Sequence, residues 1–222
     1  MMNQWSTLLP QLRYRVPAAV YVLAALSLAG CSRESRTEVS EEPPHDPIPE
    51  VYRVRFETTK GNFVVEVTKS WAPLGAERFY LLTQAGLCKT QRFYRVLPGN
   101  LVQFGLNTLP AEKQHLATVL HDEPVRQSNR RGTLVFTSNG PHTRNLSMLI
   151  NLRDNTENDV KGQAPIGKVI FGLDVVEGLH SYGEMAPVGS GPNMAQLTNE
   201  GVPYLTRLFP SMDYIREAVF TD

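Results

Sequence analysis

The stretch RFYRVLPGNLVQFG, Arg92 to Gly105, places an arginine, Arg95, in the middle of an otherwise apolar run. Side chains alternate between the two faces of an extended strand, so Phe93, Arg95 and Leu97 are predicted to share one face. A guanidinium carries several N–H donors and fits poorly among apolar neighbours. We therefore expect Arg95 to line a groove in which a bound molecule uses those donors.

Length and composition indicate one globular domain with appendages. The chain has 222 residues, of which 41% are hydrophobic and 20% charged, as in an ordinary globular core. The formal net charge is zero, and loss of residues 1–30 would leave 20 basic against 22 acidic residues, because only two arginines and no acid would be removed. No basic stripe with interleaved aromatic residues is present, so we expect no nucleic-acid partner.

The N-terminus reads as a targeting signal. A basic region precedes apolar residues 16–30, which are followed at once by Cys31. This stretch is shorter than the roughly 20 apolar residues of a spanning helix, and Pro17 interrupts it. Residues 1–30 are therefore predicted to be a signal peptide. The quartet Leu28-Ala29-Gly30-Cys31 also resembles the bacterial lipobox, which predicts lipidation of Cys31. An ordinary signal peptide with an incidental cysteine and an uncleaved anchor remain the alternatives.

The next segment, residues 31–50, is acidic, rich in proline and almost free of large apolar side chains. Such a composition cannot bury enough surface to fold, which predicts a disordered tether. The folded domain is then residues 51–222, anchored by lipid to a membrane of the cell envelope and facing the periplasm or another extracytoplasmic space. Cys88 is left without an intramolecular partner, so we expect it to be a small buried hydrophobe rather than a redox-responsive thiol.

Alternating patterns dominate the rest of the chain. Two alternating runs flank a Gly-Asn turn between Tyr52 and Thr68 and predict a β-hairpin. Helices are predicted from Pro73 to about Gly86, at Leu173–Leu179 and at Met212–Val219. Further short strands are predicted at Phe93–Leu97, Leu101–Phe104, Thr133–Thr137, Met148–Asn151 and Lys168–Phe171. Many short strands with a few helices favour a mainly β fold, an antiparallel barrel with helical caps and a short C-terminal helix.

The sequence contains none of the common catalytic motifs. It has no G-x-S-x-G elbow, no H-E-x-x-H and no phosphate-binding glycine-rich loop after a strand. The five histidines are scattered without metal-ligand spacing. We therefore expect no metal and no cofactor.

Three segments resemble a cyclophilin-type peptidyl-prolyl cis-trans isomerase of the bacterial branch: RFYRVLPGNLVQFG, DEPVRQSNRRGTLVFTSNGPHTRNLSMLINLRDN and APIGKVIFGLDVVEGL. The tail GVPYLTRLFPSMDYIREAVF is similar to a C-terminal extension of some members, which here would begin at about residue 186. The resemblance implies an eight-stranded antiparallel barrel capped by two helices, with a substrate groove on its outer face. It also implies an activity, the isomerisation of X-Pro bonds in polypeptides.

An arginine suits that reaction. Twisting an X-Pro amide removes its resonance and leaves a localised lone pair on the proline nitrogen. A donor aimed at this nitrogen binds the twisted state more tightly than either planar state, which is the condition for catalysis. No nucleophile, metal or general base is needed.

The resemblance assigns roles to named positions. The catalytic arginine falls on Arg95, and the glutamine that bonds the peptide backbone falls on Gln103. The remaining substrate-binding positions fall on Asn100, Leu101, Thr137, Ser138, Ser147, Leu149 and Gln163.

Several of these positions depart from the family pattern. Asn100 and Leu149 stand where phenylalanines are expected, Ser147 replaces a glutamine, Gln163 replaces a histidine or phenylalanine, and a pocket leucine falls on Asn158 or Asp159. The proline pocket thereby loses aromatic area, so two functions stay open. One is a monomeric isomerase with weakened activity that acts on proline-containing segments of unfolded or folding envelope proteins. The alternative is a non-catalytic peptide-binding scaffold.

Overall fold

The computed structural model of the chain describes residues 47–105 and 109–222. Its strands are β1 Val51–Thr58, β2 Asn62–Thr68, β3 Arg95–Leu97, β4 Leu101–Phe104, β5 Thr133–Phe136, β6 Met148–Asn151, β7 Pro165–Phe171, β8 Met185–Ala186, β9 Gly191–Asn193 and β10 Ile215–Thr221. Its α-helices are α1 Pro73–Gln84, α2 Leu173–Glu177, α3 Met194–Glu200 and α4 Val202–Leu208. Short 3₁₀ helices occupy Lys69–Trp71, Ala111–Ala117 and Thr156–Asn158.

Eight strands form one antiparallel sheet in the order β10-β1-β2-β7-β5-β6-β4-β3. The chain just before β3 pairs with the chain just before β10 through a bridge between Arg92 and Tyr214. Two backbone hydrogen bonds flank this bridge: the Phe93 N–H donates to the Asp213 carbonyl at 3.1 Å and the Ile215 N–H to the Gln91 carbonyl at 2.9 Å. The two edges of the curled sheet are thereby joined, and the predicted eight-stranded antiparallel fold is confirmed.

The predicted hairpin and both capping helices lie around the barrel core. On β1 and β2 the buried positions alternate as the sequence predicts, and Phe56 stacks on Phe63 with ring centroids 4.7 Å apart. Helix α1 contributes Phe79 and α2 contributes Val176 to the same core. Pro73 occupies the first turn of α1, where its missing N–H costs nothing.

The predicted C-terminal helix at Met212–Val219 is wrong, because the chain forms strand β10 there. Ile215 and Ala218 are both buried although they lie three residues apart, a spacing that strict strand alternation would place on opposite faces. A register shift in the β1–β10 pairing explains it: Glu57 pairs with Glu217, but the next residue, Thr58, pairs with Ile215. A bulge inserts one extra residue and thereby brings both apolar side chains to the core face.

The predicted alternation around Arg95 holds only from Arg95 onward. Arg95 and Leu97 are partly exposed, whereas Val96 between them is buried in the barrel core. Phe93 lies in that same core, so its predicted place on the face of Arg95 is wrong. The reason is that β3 begins at Arg95, and the residues before it are not part of the regular strand.

A C-terminal extension packs beside β3 around its own small core. Strands β8 and β9 pair in parallel, and helices α3 and α4 follow them. Tyr94, the residue immediately before Arg95, is buried among residues of this extension, whose core members are Leu197, Tyr204, Leu205, Phe209 and Met212. The extension is therefore seated directly behind the strand that carries the predicted catalytic arginine.

Ordered contacts begin slightly before the predicted domain boundary at residue 51. Ile48 packs against the barrel core, and the Glu50 carboxylate accepts a hydrogen bond of 3.0 Å from the Ser70 N–H. The predicted signal peptide, Cys31 and most of the predicted tether lie outside the described residues. Within residues 47–105 and 109–222, no helix is long and apolar enough to cross a membrane.

Candidate active site

The predicted site residues lie around one concave cavity of about 500 Å³. Arg95 on β3 is paired in register with Gln103 on β4, and Gln103 is paired with Leu149 on β6. Residues directly opposite each other on neighbouring strands share a face of the sheet. The residues next along these strands, Val96, Val102 and Ile150, belong to the barrel core, so the row of Arg95, Gln103 and Leu149 faces outward. All nine positions assigned from the sequence line this cavity: Arg95, Asn100, Leu101, Gln103, Thr137, Ser138, Ser147, Leu149 and Gln163.

A chain of hydrogen bonds fixes the side chain of Gln103. Its amide group donates to Ser147 Oγ at 2.9 Å, and its oxygen accepts from Arg95 Nη1 at 3.3 Å. The Tyr94 hydroxyl lies 2.7 Å from the same Ser147 Oγ. Burial raises the pKa of Tyr94 to about 12, so this hydroxyl is protonated at neutral pH. The network holds the amide oxygen of Gln103 toward the arginine.

Arg95 also forms a two-pronged ion pair with Glu184, which the sequence reasoning did not identify. Nε of Arg95 lies 2.5 Å from Oε1 and Nη2 lies 2.7 Å from Oε2 of Glu184. The arginine and glutamate side chains are 24% and 33% exposed, so the pair is sheltered but reachable by solvent. Hydrogen bonds from Arg95 lower the pKa of the Glu184 carboxyl below its ordinary value. Such parallel bonds constrain the plane of the guanidinium as well as its position.

The cavity has an apolar floor and a largely polar wall. Leu101 and Leu149 are buried at its base, with 8% and 4% exposure. Asn158 lines the wall, whereas Asp159 turns away to accept hydrogen bonds from Ser128 and Asn129. Of the two positions left open for the pocket leucine, Asn158 is therefore the one at the cavity. Polar groups in these places provide hydrogen-bond partners but less ring contact than aromatic residues would.

Three further contacts define the rim. The Asn100 side-chain oxygen accepts a hydrogen bond of 3.2 Å from Arg153 Nε. The Thr137 N–H donates to the Ser147 carbonyl at 2.8 Å, so this amide is already used within the fold. Gln163 is 7% exposed, and no protein donor among the described residues reaches its side-chain oxygen. The side-chain oxygen of Gln163 is thus a buried acceptor in a residue that lines the cavity.

The described residues that line the cavity offer hydroxyl, amide, amine, carboxylate and guanidinium groups. No histidine or cysteine is among them, and the described part of the chain contains no group of three His, Cys, Asp or Glu side chains that could hold a metal ion. Cys88 lies in the barrel core, where burial raises the pKa of its thiol to about 12. Hydrogen-bonding and charged groups therefore dominate the chemistry that this cavity offers.

Comparison with protein families identifies the fold and its chemistry. The profile of the family described as cyclophilin type peptidyl-prolyl cis-trans isomerase/CLD matches residues 53–197. The chain belongs to this family. Its predicted class, a peptidyl-prolyl cis-trans isomerase, is thereby confirmed.

Individual relatives agree with the family assignment. A peptidyl-prolyl cis-trans isomerase of Acinetobacter baylyi is 32% identical over 131 residues, which cover 56% of this chain and 69% of the relative. Peptidyl-prolyl cis-trans isomerase B of Escherichia coli is 28% identical over 138 residues, which cover 56% of this chain and 81% of the relative. A crystal structure of a Cryptosporidium parvum cyclophilin in the presence of the dipeptide Ala-Pro has a TM-score of 0.56 at 19% identity. The match covers 77% of this chain and 99% of that structure. This last likeness concerns the fold.

The cavity of this cyclophilin also includes residues that the sequence did not single out. They are Tyr94, Asn139, Thr143, Asn145, Arg153, Asn155, Glu157, Lys161, Met194 and Thr198. Met194 and Thr198 belong to α3, so the C-terminal extension forms part of the cavity wall. A local pattern cannot reveal this, because the contact depends on how a segment some hundred residues away folds back beside β3.

Proposed function

We propose that this cyclophilin isomerises X-Pro bonds in proline-containing segments of proteins of the cell envelope, with Arg95 stabilising the twisted amide. The observation that carries the proposal is the place of its guanidinium, at the wall of a cavity whose floor is apolar. A proline ring packs on Leu101 and Leu149, and the flanking peptide remains free to rotate beside Arg95.

The energetics are sufficient for this simple arrangement. The uncatalysed barrier is about 18–20 kcal/mol, and each ~1.4 kcal/mol of differential stabilisation gives about tenfold in rate. An arginine stays charged throughout the neutral range, and it acts in a cavity where water screens its charge less than in bulk. Gln103, held by Arg95 and Ser147, is placed to bond the peptide backbone and keep the substrate in register.

The changed pocket residues favour a weakened grip on proline. Replacing a phenylalanine by leucine at one pocket position removes about 1 kcal/mol of ring contact, or roughly fivefold in affinity. Asn158 and Gln163 place polar groups where the ring would gain apolar contact, and Asn100 adds a partly exposed amide that loses water when the ring enters. We propose that catalysis persists at reduced efficiency and that Leu149→Phe tightens peptide binding.

Two-dimensional NMR exchange on a short Ala-Pro peptide tests the mechanism. The wild type should accelerate cis–trans exchange, and Arg95→Ala should lower the catalysed rate by about two to three orders of magnitude, the usual cost of losing a transition-state donor. The matched control is Arg53→Ala. Arg53 is also paired with a glutamate, Glu66, but it lies on β1 and is not among the described residues that line the cavity. Its removal should leave the rate unchanged.

Other outcomes of the same measurement contradict the proposal. Peptide binding without acceleration by the wild type would identify the non-catalytic scaffold instead. Full activity of Arg95→Ala would remove Arg95 from the mechanism. If Leu149→Phe leaves the peptide dissociation constant unaltered, the proposal that this pocket binds proline less tightly is contradicted.

We also propose that the protein works at a membrane of the cell envelope through a lipid on Cys31. The lipobox-like quartet and the acidic, proline-rich residues that follow support this. Such a tether of flexible chain would keep the barrel clear of the membrane surface.

A further inference from the structure

The loop between α2 and β8 supplies Glu184, a charged partner of Arg95. Both carboxylate oxygens of Glu184 accept hydrogen bonds from Arg95, at 2.5 and 2.7 Å. The partners lie 89 positions apart in the sequence. A paired fork of this kind restricts rotation of the guanidinium, which a single hydrogen bond would not do.

The carboxylate holds the arginine without being one of the described residues that line the cavity. Among the described residues that line the cavity, Arg95 and Gln103 are present and Glu184 is absent. Glu184 takes Nε and Nη2, while Nη1 points toward Gln103 in the outward row of the sheet. The ion pair therefore leaves one nitrogen of the guanidinium toward the place where a peptide would lie.

The position of Glu184 is itself fixed by its own loop. The Met185 N–H donates to Glu184 Oε1 at 2.8 Å, and the Gly191 N–H donates to the Glu184 carbonyl at 2.8 Å. A Cβ at Gly189 would come within 2.4 Å of that carbonyl oxygen, so the loop closes on Glu184 only with glycine there.

The same loop is tied to the strand of the arginine. The Ser181 hydroxyl donates to the Val96 carbonyl on β3 at 2.6 Å, and the Gly183 N–H donates to Ser181 Oγ at 3.0 Å. Carboxylate and guanidinium are therefore supported from one common strand, and a shift of the loop relative to Arg95 is resisted.

We propose that Glu184 is a positioning residue that fixes the orientation of the Arg95 guanidinium for catalysis. This inference rests on the proposed role of Arg95. A free arginine at the edge of a cavity samples many rotamers, and only those that aim a donor at the proline nitrogen assist the twisted state. The carboxylate selects one of them before the peptide arrives, and it contributes this without touching the substrate.

The test separates turnover from binding in the full-length protein. Glu184→Gln removes the charge and one acceptor while keeping the size of the side chain. Exchange NMR at saturating Ala-Pro peptide should show a maximal rate lower by about tenfold to a hundredfold, the usual cost of misplacing a catalytic group. The peptide dissociation constant should change by less than about twofold, because Glu184 does not line the cavity. A merely structural role would not lower the maximal rate while leaving the peptide dissociation constant unchanged.

A spectroscopic signal reports the cause directly. The side-chain Nε–H resonance of Arg95, assigned by its loss in Arg95→Ala, should be sharp and protected in the wild type and broadened or shifted in Glu184→Gln. The matched control is Glu66→Gln. The side chain of Glu66 is 32% exposed, against 33% for Glu184, and is likewise paired with an arginine. That pair lies on the hairpin of β1 and β2. Its replacement should change neither the rate nor the Arg95 resonance.

The remaining outcomes decide against the inference or against its premise. A maximal rate in Glu184→Gln equal to or above that of the wild type overturns the positioning role, and an increase would identify Glu184 as an inhibitory contact. If Glu184→Gln fails to fold, Glu184→Asp decides: it keeps the charge on a shorter side chain, so a reduced maximal rate with unchanged binding agrees with positioning and a full rate overturns it. Full activity in Arg95→Ala would instead contradict the proposed mechanism itself.

Discussion

At the scale of single residues, the site depends on one permanently charged group held between two neutralising or polar neighbours. The carboxylate of Glu184 compensates much of the charge of Arg95. The side-chain oxygen of Gln103 accepts a hydrogen bond from Nη1, the remaining nitrogen of the guanidinium. Compensation weakens the field of the arginine but makes its burial affordable, because an unpaired charge in a sheltered wall is costly. The arrangement therefore exchanges some electrostatic strength for a defined geometry.

This pairing predicts a flat pH profile near neutrality. Hydrogen bonds from Arg95 lower the pKa of Glu184 below its ordinary value of 4.5. A carboxyl with a lowered folded-state pKa stabilises the fold above its unfolded pKa, and that contribution is lost as the pH falls through the folded pKa. The pair should thus stay intact from about pH 5 upward and break only in stronger acid.

The measurement is the catalysed exchange rate between about pH 5.5 and 8.5, corrected for the uncatalysed reaction. We expect it to vary by less than about twofold, since no histidine is among the described residues that line the cavity. A titration with a midpoint near pH 6.5 would contradict this and point to one of the histidines.

At the scale of secondary-structure elements, the sequence predicted those strands and helices that a local periodic pattern specifies. The hairpin of β1 and β2 and the helix α1 follow from alternation, a turn and a first-turn proline. Helices α3 and α4 were not predicted, because each has only seven residues and depends on packing in the small second core. Glu184 was missed for the same reason, since its partner is fixed by tertiary structure alone.

The candidate site was recognised at the positions where the family motif and the strand register coincide. Arg95, Gln103 and Leu149 lie in one cross-strand row, which no single segment of the sequence reveals. The resemblance supplied that long-range information for the positions of its motifs. It assigned no role to α3, so the contribution of Met194 and Thr198 to the cavity emerges only from the folded structure.

Strand β10 provides the clearest test of an element that the sequence misassigned. Ile215 is fully buried in the barrel core, so Ile215→Ala should lower the free energy of unfolding by about 2–5 kcal/mol. Ile170 on β7 is 49% exposed, and Ile170→Ala should cost less than about 0.5 kcal/mol. Urea unfolding followed by circular dichroism measures both. Equal effects of the two substitutions would show that β10 does not close the core.

At the scale of the whole molecule, the extension and the barrel serve one site. The extension packs against Tyr94, and its helix α3 lines the cavity. The loop just before the extension is hydrogen-bonded to β3 through Ser181. Strand β10 then returns the chain to pair with β1, so the extension is held at both of its ends by the sheet. A segment with such double attachment is expected to unfold with the barrel as one cooperative unit.

The proposed lipid anchor makes a prediction about the whole protein in a bacterial cell. With Cys31 lipidated, the protein should sediment with membranes, resist extraction by high salt and be released by detergent, since the anchor is held by buried hydrocarbon rather than by charge. Cys31→Ser removes the only acceptor the lipobox-like quartet offers and should move the protein to the soluble fraction or leave it as an unprocessed precursor.

Cys88→Ser is the matched control for that fractionation, because it removes the other cysteine of the chain, which is buried in the barrel core. Its distribution between membrane and soluble fractions should equal that of the wild type. A wild type found in the soluble fraction would indicate an ordinary cleaved signal peptide. Processed Cys31→Ser that still resists salt extraction would show that something other than a lipid on this cysteine holds the protein. Mass spectrometry of the mature N-terminal peptide distinguishes these cases, because lipidation adds the mass of the acyl groups to Cys31 itself.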